Sequence, residues 1–308
     1  MGVSQILIWQ ATAAIVAGDP IAARAAGEEA RDLADVIGDR VGSRQCRVCL
    51  GWSQLWQGDL AGAAAEFGAL AADAGATHDG IIEANSLAGR CYALAWQGDI
   101  AAARATADAA LQSASELGAV YVGVAHMAVG QAALAAGDHA AAARASEAAW
   151  QHLSVVPGSA DAPRALSAEA TLASGDLIAA RRLVDEAVTI ASGWQLVVAL
   201  TTRARVAIAQ GEPEQGECDA HDALAIAANM QAYLGISDIL EPHPRLHQTR
   251  PHLPRATRPR GSPARLNAPC RSGCSANRFA SVPHMTDISG HRQRCPAHES
   301  RRYQSHDP

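Results

Sequence analysis

CRVCLGWSQLWQGDLAGAAAEF, residues 46–67, turns on a Gly-Asp pair at Gly58 and Asp59, with a small residue seven positions before the glycine (Gly51) and another five after it (Ala63). The pair recurs at Gly18-Asp19, Gly98-Asp99, Gly137-Asp138 and Gly175-Asp176, with Gly211-Glu212 as a sixth, at intervals of 40, 40, 39, 38 and 36 residues. Self-similarity at this period marks stacked helical hairpins, each too small to bury its apolar face alone. Glycine takes the left-handed conformation that ends the first helix, and the acid after it caps the second and complements its dipole.

Positions counted from that glycine repeat the message. Seven before it stand Ala11, Gly51, Cys91, Gly130, Ala168 and Ala204; five after it stand Ala23, Ala63, Ala103, Ala142, Ala180 and Gly216, all small. Three before it come Ile15, Leu55, Ala95, Leu134, Leu172 and Ile208, one turn from the small position and on the same face. That face is expected to be the buried seam of each hairpin. Alanine supplies much of the 49% hydrophobic content while aromatics are 4%, which suits closely packed helices. The fold expected is all-α, a right-handed solenoid of antiparallel helix pairs with about six repeats.

Composition narrows function by exclusion. All 25 basic residues are arginine, so a phosphate loop that needs lysine and a Schiff-base site have no residue to run them. No Ser/His/Asp arrangement, paired carboxylate cleft or Gly-rich phosphate cradle has a workable spacing, so the expectation is no enzyme and no cofactor. His78, His126, His139, His152 and His221 are scattered and expected on solvated surface. No apolar run reaches the length of a membrane span and no signal peptide opens the chain, so a cytoplasmic location away from membrane is expected.

Charge divides the chain at Glu241. Residues 1–241 hold 13 Arg against 28 acids, net −15, while residues 242–308 hold 12 Arg against 3 acids, net +9. Prolines split as 4 and 10 across the same point. The expected domains are therefore a repeat domain over 1–241 and an Arg/Pro/His-rich disordered tail over 242–308. Weak, nonspecific nucleic-acid contact through phosphates is an alternative role for the tail. Another reading is a frameshift product, since a shifted frame of a GC-rich gene yields this composition; a resumed repeat in another frame would test it. Cys270, Cys274, Cys295 and His298 make a four-ligand set for zinc, without the helix or strand period that would support one. Both ends read as cut: Ile6, Leu7 and Ile8 open the chain without a polar capping repeat, and Met230 to Glu241 reads as the first helix of a seventh repeat halted by Pro242.

The small-residue, turn and alanine offsets resemble the tetratricopeptide family, over six repeats spanning residues 3–230. The period exceeds that family's usual length of about 34, and the closing proline is missing. The stretches 46–67, GRCYALAWQGDIAAARA (89–105) and ALTTRARVAIAQGEPEQGECDAHDALAIAANMQAYLGISDILE (199–241) resemble, more closely, the helical-repeat region of LuxR-type multidomain regulators of high-GC bacteria. In those proteins a signal-transduction ATPase is followed by such repeats and often by a helix-turn-helix. Neither a phosphate loop nor a convincing DNA-binding helix pair occurs here. The resemblance thus implies only the repeat module: a noncatalytic interaction or sensor part, a probable fragment, with an ATPase or DNA-binding domain on a separate chain as a candidate partner.

Two constellations stand out as sites. Trp52, Trp56, Tyr92 and Trp96 occupy the positions six and two residues before the glycine in adjacent repeats, four apart and so on one face. One reading is packing of repeat on repeat, which tryptophans at helical spacing most often serve. The other is a concave groove for a peptide, protein or small effector, with Arg44, Arg47 and Arg90 engaging an acidic ligand. Cys46 and Cys49 form a C-x-x-C in mid-helix, without the helix-start geometry or further ligands that redox or metal chemistry requires.

Overall fold

A computed structural model describes residues 2–156, 159–232 and 234. Among these residues the chain is all-helical: α1 (Val3–Val16), α2 (Pro20–Ile37), α3 (Arg40–Trp56), α4 (Leu60–Ala76), α5 (Gly80–Gln97), α6 (Ile100–Ala114), α7 (Ala119–Ala135), α8 (His139–Leu153), α9 (Asp161–Ala173), α10 (Leu177–Ile190), α11 (Gly193–Ala209) and α12 (Pro213–Asn229). Each predicted turn joins an odd-numbered helix to the even-numbered one after it, which makes six hairpins in the tetratricopeptide-like arrangement. The tail 242–308, with its expected disorder, zinc ligands and nucleic-acid contacts, lies outside the described residues.

The turns work as the sequence requires. Gly18, Gly58, Gly98, Gly137, Gly175 and Gly211 all have φ between +68° and +90°, the left-handed region that a side chain would strain. Asp19, Asp59, Asp99, Asp138 and Asp176 each accept a first-turn backbone N–H at 2.9–3.1 Å. The sixth turn departs from the pattern. Glu212 makes no cap hydrogen bond; Pro213 at the helix start has no N–H to satisfy, and the Glu212 carboxylate instead pairs with Arg181 at 2.9 Å. Asp39 and Asp79 cap α3 and α5 in the turns between hairpins, at 2.9 and 3.3 Å.

Small residues mark the seam. Ala11, Cys91 and Ala168, seven before the glycine, are fully buried, as are Ala23, Ala63, Ala103, Ala142 and Ala180, five after it. At three before it only Leu55 and Ala95 are buried, while Ile15, Leu134, Leu172 and Ile208 are half-buried at the seam's edge. The slots serve neighbouring hairpins as well as the hairpin itself. The fully buried Phe67 of α4 is clamped between Gly51 of α3 and Gly89 of α5, where added Cβ atoms would stand 2.7 and 2.5 Å from its ring. A Cβ at Gly130 would meet Leu166 of α9 at 2.7 Å before it met Ala145 of α8 at 3.5 Å.

Curvature follows from the same economy of size. Ala88, Ala128 and Ala132, all buried, let α5 and α7 approach on the inner side, and closer spacing inside than outside bends a solenoid. The bend closes. The Trp194 N–H, at the start of α11, donates to the Gly18 carbonyl at the end of the first helix (2.9 Å), and the Leu234 N–H donates to the Trp56 carbonyl at the end of α3 (3.2 Å). Both contacts join equivalent points five hairpins apart, so five hairpins complete one superhelical turn and the sixth begins the next. One turn advances the chain by the length of an inner helix, about 25 Å for some 17 residues. Leu55, Trp56, Trp194, Val197 and Leu234 share one apolar cluster across this junction.

One expectation needs correction at the C-terminal side. Met230 caps α12 rather than opening a helix, and Gln231 has φ +50°. A left-handed residue breaks the helical path there; the rest of the proposed seventh-repeat helix lies outside the described residues. No helix among the described residues is long and apolar enough to cross a membrane.

Candidate functional site

The odd-numbered helices form the inner wall of the superhelix and surround a cavity of about 470 Å³. The position six before each turn glycine faces it in all six repeats: Thr12, Trp52, Tyr92, Gln131, Glu169 and Arg205. Seam positions repeat one requirement, small size, whereas this lumen position carries a different side chain in every repeat.

One arc of the lumen is aromatic. Trp52 lies between Trp56 and Tyr92, with ring centroids 6.1 and 5.4 Å away, and meets Phe67 edge-on at 5.6 Å. Of the four aromatics singled out in the sequence, all line the cavity. They do not play one role. Trp56 is 6% exposed and belongs to the apolar cluster that joins the two superhelical turns, so it packs and lines at once. Trp52, Tyr92 and Trp96 are half-buried and line the lumen. Burial pushes the Tyr92 phenol well up from its ordinary range, so it stays neutral.

The opposite character appears on α9 and α11. Glu169 accepts a hydrogen bond from Arg205 at 2.7 Å, a closed ion pair in the lining. Asp161, the first residue of α9, is 5% exposed and accepts the Ala162 N–H at 2.8 Å. No arginine pairs with it among the described residues, and burial raises its carboxyl above the usual carboxylate range. The charged lining residues are therefore one neutralised pair and one carboxylate without a cation.

The arginines are placed elsewhere than expected. Arg44, Arg47 and Arg90 do not line the lumen. Arg44 is 8% exposed and bonds Asp73 at 2.6 Å, with Asp79 at 3.7 Å; Arg47 bonds Glu66 at 2.7 Å. Arg90 lies along α4, 3.5 Å from where a Cβ at Gly68 would stand. Helix geometry explains the displacement: at about 100° per residue, Arg47 points about 140° away from Trp52, and Arg90 about 160° away from Tyr92. Arg44 and Arg47 tie α3 to α4 and to the turn at Asp79, while Arg90 packs along α4.

Glu169, Arg205 and Asp161 escaped the sequence reading. The first two hold the same offset as Trp52 and Tyr92, which is the signal that marks them in the sequence. Asp161 had no such signal. Cys46, Cys49 and Cys91 are buried in helices, with thiols pushed by burial to about 12, about 11 and about 12, which leaves no reactive thiolate at neutral pH. Among the described residues no group of three or more His, Cys, Asp or Glu is placed to hold a metal ion. His126 and His152 depart from the solvated placement expected for them: they are half-buried and stacked, with centroids 6.0 Å apart.

Fold and lumen together define a helical-repeat protein with a half-open cavity that is aromatic along one arc. Two mycobacterial proteins, "Putative HTH-type transcriptional regulator Rv0890c" of Mycobacterium tuberculosis and "Putative HTH-type transcriptional regulator Mb0914c" of Mycobacterium bovis, are each 45% identical to this chain over 237 residues, 77% of the chain and 27% of their own length. The chain thus spans about a quarter of the length of these relatives. No family model matches it. Among solved structures it is similar to BtubC (BKLC) from P. vanneervenii, with TM-score 0.48 and 16% identity over 87% of this chain and 99% of that one. It is also similar to a tetratricopeptide repeat protein from Parabacteroides merdae, with TM-score 0.40 and 14% identity over 78% of this chain and 98% of that one.

Proposed function

We propose that this chain is a noncatalytic binding module of transcriptional regulation, the helical-repeat part of a LuxR-type regulator, and that it acts by holding a peptide, protein segment or small effector in its lumen. The observation that carries the reading is the lumen position itself. Six repeats bring Thr12, Trp52, Tyr92, Gln131, Glu169 and Arg205 to one cavity from a scaffold that keeps small residues at two seam positions of every hairpin. The similarity to named regulators supports the regulatory part of the reading. Partner domains of such a regulator, an ATPase or a helix-turn-helix, would read the occupied state.

A route from ligand to scaffold exists in the closure. Trp56 lines the lumen and also packs at the junction of the two superhelical turns, so an occupant that touches Trp56 favours one spacing of those turns over another. A ligand shifts such an equilibrium only by its differential affinity for the two spacings. Thermal-shift screening of compound and peptide panels, followed by intrinsic fluorescence titration, tests the proposal. Hits should raise the melting temperature of the native chain and lose most of that effect in Trp96→Ala, whose far-ultraviolet dichroism stays native. Panels without hits, or hits indifferent to Trp96→Ala, would contradict it.

A further inference from the structure

Glu169 and Arg205 neutralise each other, so among the described lining residues the unbalanced charge is the Asp161 carboxylate. Its depth in the cavity follows from the superhelix. Five hairpins advance the chain by about one inner-helix length, roughly 5 Å per hairpin, so the start of α9 stands level with the later turns of α3 and α5. Those turns carry Trp56 and Tyr92. The packing agrees: Tyr92 and Ala162, the residue after Asp161, lie against the same apolar cluster of Met127, Leu153 and Leu166.

An uncompensated carboxylate that lines the same lumen as these aromatic rings, in a wall otherwise mostly apolar, has a definite chemical complement. Carboxylate attraction and the negative faces of indole and phenol rings both favour positive charge, and both strengthen where water is excluded. Among the described lining residues, anionic ligands meet Asp161 with no open cation to offset it, because Arg205 already faces Glu169. The cavity volume of about 470 Å³ falls in the range of small-molecule sites, roughly 300–1,000 Å³.

We infer that the lumen binds a small organic cation, an ammonium group on an apolar body, with the charge at Asp161 and against the rings of Tyr92 and Trp56 and the body along Trp52 and Trp96. This rests on the lumen being the binding site proposed above. The test uses three ten-carbon probes below their aggregation thresholds: decyltrimethylammonium, decanoate and 1-decanol, titrated against tryptophan fluorescence of the full chain. The cation should bind at least about tenfold more tightly than the other two, an increment of about 1.4 kcal/mol. Asp161→Asn, which keeps the shape, should remove that preference while leaving decanol binding in place; Trp96→Leu should weaken all three probes. Should Asp161→Asn fail to fold, the native ranking and Trp96→Leu still decide. Equal or tighter binding of decanoate or decanol, or an unchanged ranking in folded Asp161→Asn, would overturn the charge assignment and leave the lumen reading standing. Absence of binding by every probe would overturn both.

Discussion

Gly193→Ala is the perturbation that isolates closure of the superhelix from formation of its hairpins. Gly193 has φ +55°, and a Cβ there would press into the Ala17 carbonyl oxygen and stand 2.6 Å from that of Gly18. Both obstacles are backbone, so the contact must part. The left-handed conformation costs an alanine about 1 kcal/mol, and losing the Trp194 to Gly18 hydrogen bond costs about 1 kcal/mol more. Trp194 is 7% exposed; uncovering half of its roughly 200 Å² at about 25 cal/mol per Å² adds about 2.5 kcal/mol. The total, about 4 to 5 kcal/mol, is large for one contact and small for six hairpins, whose stabilities add as neighbours. Gly98→Ala is the control, because Gly98 has φ +82° but open space around its Cβ position. Amide exchange by mass spectrometry should show faster exchange around residues 14–20 and 190–198 in Gly193→Ala, native protection across α5 to α8, and a larger radius of gyration. Native exchange at both segments, or unfolding throughout, would refute the reasoning.

Three further outcomes follow from packing and charge. Asp219 is 1% exposed and takes two hydrogen bonds from Arg203, at 2.8 and 2.6 Å; Asp219→Ala leaves a partly buried guanidinium with only Asp185 at 3.8 Å and should cost about 3 kcal/mol in the α11–α12 hairpin by denaturant titration, and a loss under about 1 kcal/mol would count against the pair. Gly130→Leu should cost about 1–3 kcal/mol by overpacking, felt at α9 through Leu166 as well as at α8, whereas a leucine at the exposed Ala101 should do little; equal losses would contradict the seam. For Asp161 the folded carboxyl sits above its unfolded value because burial disfavours the charge, so the fold prefers the proton. Below the unfolded value of about 4, both states hold it and Asp161→Asn should match the native chain; as pH rises through the folded value, the native chain loses stability that the variant keeps. Melting curves from pH 3 to 8 that stay parallel would dispose of this account.

Fold was far more legible than site, and the reason is physical. A glycine at positive φ and an alanine in a seam are dictated by local geometry, so they recur at fixed offsets and announce themselves. The lumen residues vary because nothing in the packing dictates them; only their offset recurs. Thus Trp52 and Tyr92 were visible as large aromatics, while Glu169 and Arg205, at the same offset, looked like ordinary surface charges on amphipathic helices. Nearness along the chain does not give a shared face: the 3.6-residue period turns Arg47 and Arg90 toward α4 and away from the lumen. Closure of the superhelix is a sum of small rotations over five hairpins and leaves no mark on any single one, which is why the seating of Trp194 on Gly18 emerged only in three dimensions.

The claim on which all else stands is the register of small residues in the seam, and the native thiols report it without a mutation. Cys91 fills the slot seven residues before Gly98 and is fully buried, Cys46 and Cys49 are buried in α3, and Cys218 is exposed on α12. Pulse labelling of the folded chain with N-ethylmaleimide, mapped by peptide mass spectrometry, should modify Cys218 rapidly and leave Cys91 unmodified until the chain is denatured. Modification of Cys91 at the rate of Cys218 would place the seam in water and contradict the hairpin register.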